Sequence, residues 1–82
     1  MHPLGVVPDL ATSPVIIYVQ LLDEGTVAFR PVTAEHIGGD QFVIETRRPE
    51  DELWEFDSGS TVIGEPRRIS GGCSIIAVRL AP

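Results

Sequence analysis

Between residues 50 and 60 the chain reads EDELWEFDSGS, with five carboxylates set around a Leu, the single Trp and a Phe. Side chains of these types offer two chemistries. An aromatic face ringed by carboxylates can hold an Arg, a Lys or a methylated amine. Clustered carboxylates can hold a divalent cation, but a calcium loop spaces its acids as D-x-D-x-D-G with a distal Glu, and that spacing is absent here. The binding candidates are therefore Trp54, Glu52, Glu55, Asp57 and Phe56. A competing reading is structural. Trp54 and Phe56 are two residues apart, so an extended chain puts both on one side, where they bury together and leave Glu55 and Asp57 in water. Each large aromatic removes roughly 150–250 Å² from water, which contributes a few kcal/mol. Fastening a loop to a small core is thus the first expectation for this stretch, and recognition the second.

The remaining reactive groups do not assemble into a catalytic or metal-binding pattern. Cys73 follows Gly71-Gly72, and a nucleophilic thiol would need a nearby base or a helix N-terminus; a small buried thiol is expected instead. Structural zinc needs three or four ligands, and besides His2 near the start of the chain the sequence has only His36 and Cys73. No serine among Ser13, Ser58, Ser60, Ser70 and Ser74 sits in a nucleophile-elbow sequence. Gly38-Gly39 and Gly71-Gly72 read as hairpin turns and not as a phosphate-cradling loop before a helix. Members of the doublets Arg47-Arg48 and Arg67-Arg68 point to opposite faces of a strand, so neither makes a two-pronged clamp. Arg30 is expected to pair with Asp23 or Glu24. No enzyme activity, metal or cofactor is expected.

Charge excludes further classes. Twelve Asp and Glu stand against six Arg and no Lys, a net charge of −6. Nucleic-acid binding needs clustered cations to displace counterions, and an anionic membrane surface needs them too, so neither is an expected partner. The apolar run VIIYV at 15–19 is far short of the roughly 20 residues of a membrane helix. The first 14 residues lack the basic start and long apolar core of a secretion signal, and one cysteine cannot form an internal disulfide. A cytoplasmic location is the expectation.

These side chains must be positioned by strands. Residues 1–13, punctuated by Pro3 and Pro8, read as a flexible N-terminal arm, and 14–82 as a single small domain. Val15–Leu22 is rich in β-branched residues, and Thr26–Ile37 follows with Pro31 inside it, where a bulge, bend or edge is expected. A three-residue Gly38-Gly39-Asp40 loop sets His36 opposite Phe42, Ala34 opposite Ile44 and Val32 opposite Thr46. That register puts Val32, Ala34, Phe42 and Ile44 on one face, and Thr33, Glu35, Val43 and Glu45 on the other. Ser60–Arg68 and Cys73–Leu80 complete the set, with Ile76, Val78 and Leu80 expected inward. No sustained helical period appears; Thr33–Ile37 or Glu50–Trp54 could form a single turn at most. Five short strands with mostly tight connections predict an all-β, five-stranded antiparallel SH3-like barrel, with an OB-like barrel as the alternative.

The runs LLDEGT (21–26), Phe29-Arg30-Pro31-Val32 and Trp54-Glu55-Phe56-x-x-Gly59-x-x-Val62 together resemble a family of small bacterial proteins of about this size. In that family a Trp usually precedes Arg-Pro-Val and prolines fill the turn after Trp-Glu-Phe; here Phe29 and Asp57-Ser58 take those places. The resemblance spans residues 15–80 and implies an SH3-like barrel. It carries over no activity and no catalytic residue. Site by site, the chain reads as a non-enzymatic interaction module that binds another protein through its acidic, aromatic surface. The alternative is a structural or regulatory protein that self-associates as a homodimer through outward Tyr18, Val43 and Ile63.

Overall fold

The structure, a computed structural model, describes residues 14–69 and 71–82. The arm expected over 1–13, with His2 and Ser13, lies outside the described residues, as does Ser70. Five strands run in sequence: β1 Pro14–Gln20, β2 Phe29–Gly38, β3 Gln41–Ile44, β4 Thr61–Ile69 and β5 Gly72–Leu80. Each pairs with the next, and β5 returns to β1 to close a barrel. This sequential meander is the SH3-like order and not the Greek key of an OB-type barrel. An odd number of alternating strands forces the closing pair to be parallel, and β1 and β5 meet that way at Tyr18 and Ile76. The barrel is therefore antiparallel at every other seam.

Alternation fills the interior. Ile17 and Val19 from β1, Val32 and Ala34 from β2, Phe42 and Ile44 from β3, Val62 from β4 and Ala77 from β5 form one buried cluster. The pairs Ala34–Ile44 and His36–Phe42 match the expected register. The ladder stops there, and Thr33 is held to Thr46 by its backbone N–H donating to Thr46 Oγ1 at 2.8 Å. The expected three-residue loop is corrected: Gly38 pairs with Gln41, Ile37 is the bulged residue, and Gly39-Asp40 makes the turn. Pro31 sits opposite Tyr18 in an unbroken β1–β2 register. Its missing N–H is harmless because the β2–β3 ladder begins only at Ala34.

The inward set expected for β5 is also corrected. Ile63 pairs with Arg79 but Gly64 pairs with Ala77, so Val78 is an extra residue that reverses the phase. Ala77 is 1% exposed and Ile75 packs against the core; of the expected set Ile76 is buried at 8% exposure, Val78 is half-buried, and Leu80, opposite Val62 at the end of the ladder, is 59% exposed. Ile63, expected outward, is buried at 5% exposure, whereas Tyr18 and Val43 are half-buried. Cys73 is exposed and not buried, because it pairs with Arg68 in the part of the β4–β5 hairpin that runs past the β3 ladder.

Candidate functional site

The connection from β3 to β4 carries the acidic, aromatic stretch, and backbone bonds set its course. The N–H of Leu22 donates to Leu53 O at 2.7 Å and that of Glu55 to Gln20 O at 2.9 Å. These bonds flank an antiparallel bridge between Leu21 and Trp54. Residues 53–55 thus act as a short sixth strand along the end of β1, whose other side is bonded to Ala28 through Leu21 N–H. Facing pairs in such a ladder share a side. Leu21 and Trp54 turn inward, and Leu22 and Leu53 turn outward with Gln20 and Glu55.

Trp54 is 6% exposed and belongs to the core cluster, with Phe56 packed against it. Its ring face is therefore not presented to a partner. The indole Nε1 donates to Glu52 Oε1 at 2.9 Å. Glu52 also receives both forks of Arg30, whose Nε donates to Oε1 at 3.1 Å and whose Nη2 reaches Oε2. The expected partners of Arg30, Asp23 and Glu24, are corrected by this bidentate pair, made across 22 residues of sequence. A planar guanidinium matches a carboxylate edge in a way that a nearby loop acid, reached at one point, does not.

Arg48 holds the loop from within. Its Nη1 donates to the Glu52 carbonyl at 2.6 Å and its Nε to Asp57 Oδ1 at 3.1 Å. Ser58 completes the clip: its hydroxyl donates to Thr46 O at 2.7 Å and accepts the Arg48 N–H at 2.8 Å. Two glycines permit the turns on either side, Gly25 at φ 77° and Gly59 at φ 83°, a region that side chains disfavour. Gly25 lies in the run LLDEGT (21–26) and Gly59 follows Trp54-Glu55-Phe56. These segments and β2 converge on one end of the barrel, through Leu21 with Trp54 and Arg30 with Glu52.

Of the five candidates, Trp54, Glu52, Asp57 and Phe56 are thus engaged within the fold, and Glu55 alone is exposed without an ion pair among the described residues. Leu22 and Leu53, which sequence reasoning did not single out, are 41% and 49% exposed. Only the pairing of two segments distant in sequence reveals them as neighbours. Around them Asp23, Glu24, Glu50 and Asp51 are exposed, also without ion pairs among the described residues. His36 stacks on Phe42, ring centroids 4.7 Å apart, with Nε2 2.6 Å from Gly39 O. Among the described residues no three of His, Cys, Asp and Glu gather as a metal site, and no helix is long and apolar enough to cross a membrane. Comparison with protein-family models, with curated proteins and with solved structures found no match to this chain.

The ion pairs give stability a pH dependence of definite sign. Hydrogen bonds from Arg30 and then Trp54 hold the Glu52 carboxyl below the usual carboxylate range. The Ser58 N–H and then Arg48 do the same for Asp57, and Arg67 does so for Glu65. A carboxyl whose pKa is lower folded than unfolded stabilises the fold above its unfolded value, about 4. That contribution is lost as pH falls through the folded value. Urea midpoints are expected to hold steady down to about pH 5 and to fall below it. The fall should be shallower in Glu52→Gln, and parallel curves for the two proteins would remove Glu52 from the account.

Proposed function

We propose that this chain is a non-enzymatic interaction module of the cytoplasm that binds another protein through the acidic end of its barrel. The observation that carries the reading is the pair Leu22 and Leu53. They are half-exposed, locked side by side by a 2.7 Å backbone bond, and surrounded by carboxylates without ion pairs among the described residues. Single exposed leucines are ordinary on protein surfaces; a rigid pair inside a charged rim is the arrangement of an interface centre. Trp54 supports this surface from below. A fitting partner presents apolar side chains flanked by Arg or Lys, and salt should weaken its binding by screening the rim. The reading rests on the site and not on the fold, which by itself assigns no function.

The test is a pull-down from the native cell with the wild-type chain and with Leu22→Ser plus Leu53→Ser. A partner retained at low salt by the wild type should be lost from the double variant. The variant's unfolding free energy should stay within about 0.5 kcal/mol of the wild type, as for ordinary surface changes. A partner held equally by both proteins would place recognition elsewhere.

A second reading, self-association as a homodimer, is favoured by Ile16, which is 56% exposed on the outer face of β1 next to Tyr18. The outer edge of β4 opposes it. Beyond the β3 ladder that edge carries Glu65, Pro66, Arg67 and Arg68, the charges and proline that block edge-to-edge pairing. Light scattering that shows a monomer at high concentration would eliminate the homodimer.

A further inference from the structure

The apolar surface does not end at Leu22. The β1–β2 register sets Tyr18 opposite Pro31 and Gln20 opposite Phe29, and the Leu21 N–H donating to Ala28 O at 2.8 Å carries it one step further. Val27 is then the residue across from Leu22, and facing residues share a side. Leu53, Leu22 and Val27 therefore form one outward row, about 10 Å long at the usual spacing of neighbouring strands. Val27 is 71% exposed, the most of any large hydrophobic among the described residues. It is also one wall of a groove of about 400 Å³ whose other lining residues are Tyr18, Ala28, Phe29, Ile69 and Ser74. Tyr18 and Phe29 lie on the same outer side by alternation, since Ile17, Val19 and Val32 are buried inward. The acid-rimmed leucines and the groove are thus two ends of one surface, joined by Val27.

Charge divides that surface. Asp23, Glu24, Glu50 and Asp51 stand exposed around the leucine end without ion pairs among the described residues. No Asp, Glu or Arg lines the groove, and the charge that register sets beside it is a cation: Arg67 pairs with Ser74 and shares its side. Strands β4 and β5 carry Arg67, Arg68 and Arg79 against the single carboxylate of Glu65, which Arg67 and Arg79 already share. A ligand with cations throughout meets repulsion at the hairpin end, and one with none leaves the free carboxylates unmatched. We infer that the partner contacts this protein through one extended segment of two unlike halves. One half sets Arg or Lys among apolar residues and seats on Leu53 and Leu22. The other, apolar and free of Arg and Lys, passes Val27 and lies in the groove. This inference rests on the binding surface proposed above, to which it adds composition, length and orientation. The row takes about three residues of extended chain, and the step from Val27 to Phe29 and across to Tyr18 about three more, at roughly 3.3 Å each. Two half-exposed leucines supply only a small part of the roughly 800 Å² that a specific contact covers on each partner, and the groove is apolar surface continuous with them.

The test uses the full chain and a random twelve-residue peptide library displayed on phage, selected at low salt. Enriched peptides should share a window of about six positions in which Arg and Lys are confined to one half and the other half is apolar. An enriched peptide is then bound to protein carrying a nitroxide on Cys73, which is exposed and adjacent to Ser74 in the groove wall. Amide signals of its apolar half should broaden more than those of its cationic half. Leu22→Ser with Leu53→Ser should abolish binding. Val27→Ser, at a position outside the core, should weaken it roughly fivefold or more, as for a valine that binding removes from water. No enrichment, cations spread over the whole window, equal broadening of the two halves, or a smaller loss in Val27→Ser would each overturn the inference. Loss of binding in the leucine variant alone would leave the leucine surface standing without the groove. Binding undiminished in the leucine variant would remove that surface, and this inference with it.

Discussion

Replacing Gly64 with alanine should lower the free energy of unfolding by about 1–3 kcal/mol, and replacing it with valine should leave little folded protein. Gly64 is buried in β4 at the position where β5 carries its bulge. A Cβ placed there would lie 2.6 Å from Ile75 Cγ2 and 2.8 and 3.0 Å from Phe42 Cε1 and Cδ1. Carbon atoms in good contact sit roughly 3.5–4.0 Å apart, so something must move. Ile75 is half-buried and can turn. The Phe42 ring has less freedom: it is 7% exposed and stacked under His36, which is itself bonded to Gly39 O. Alanine can be absorbed by a small shift of Ile75 and a tilt of the ring. Valine adds two further carbons in the same space. A domain of this size is stable by only about 4–12 kcal/mol, so overpacking at its centre takes a large fraction of the total. Urea unfolding followed by circular dichroism measures the cost. Combining Gly64→Ala with Phe42→Leu should cost less than the sum of the two single changes, because the smaller side chain vacates the contested space. A Gly64→Ala protein within about 0.5 kcal/mol of the wild type would show that the neighbours yield freely.

The same bulge explains where the sequence could and could not be read. Strict alternation from Val32 to Ala34 and from Phe42 to Ile44 reports the inner face of β2 and β3 directly, since a period of two has only one way to bury four apolar residues together. In β5 the residues Ile75, Ile76, Ala77 and Val78 are all apolar, so alternation has nothing to choose between. One unpaired residue, Val78, then reverses the phase without leaving a mark in the sequence. Ile37 does the same at the end of β2, displacing the turn by one residue while leaving the His36–Phe42 pair in place. Cys73 is exposed because the β4–β5 hairpin runs past its β3 neighbour, a length difference that local sequence does not encode. The candidate site divides along similar lines. That Trp54 and Phe56 turn away from Glu55 follows from local spacing. That Arg30 faces Glu52 and that Leu22 lies beside Leu53 are consequences of barrel closure, which brings together segments some twenty to thirty residues apart.

Closure at that end of the barrel depends on Trp54, and its removal should produce the other large effect. Trp54→Ala is expected to cost about 3–5 kcal/mol, as truncation of a buried aromatic to alanine does. For a domain of this length each kcal/mol corresponds to a shift of about 4–8 °C, so the melting temperature should fall by at least about 12 °C. The loss combines two parts. The ring leaves a cavity beside Leu21 and the barrel core, and Glu52 loses the indole donor that shares its carboxylate with Arg30. Trp54→Phe separates them, because it keeps most of the buried surface and removes only the donor; its melting temperature should lie between those of the wild type and Trp54→Ala. Circular dichroism must follow these transitions, since the substitution deletes the only Trp. Failure of Trp54→Ala to bind a partner would therefore report unfolding and not a lost contact, whereas Leu22→Ser with Leu53→Ser tests the surface on a folded barrel. If Trp54→Ala instead melts within a few degrees of the wild type, the segment 53–55 contributes little to closing the barrel. The end of β1 would then have to be held by Ala28 and β2 alone, and the leucine pair above Trp54 would have no rigid support to make it a binding surface.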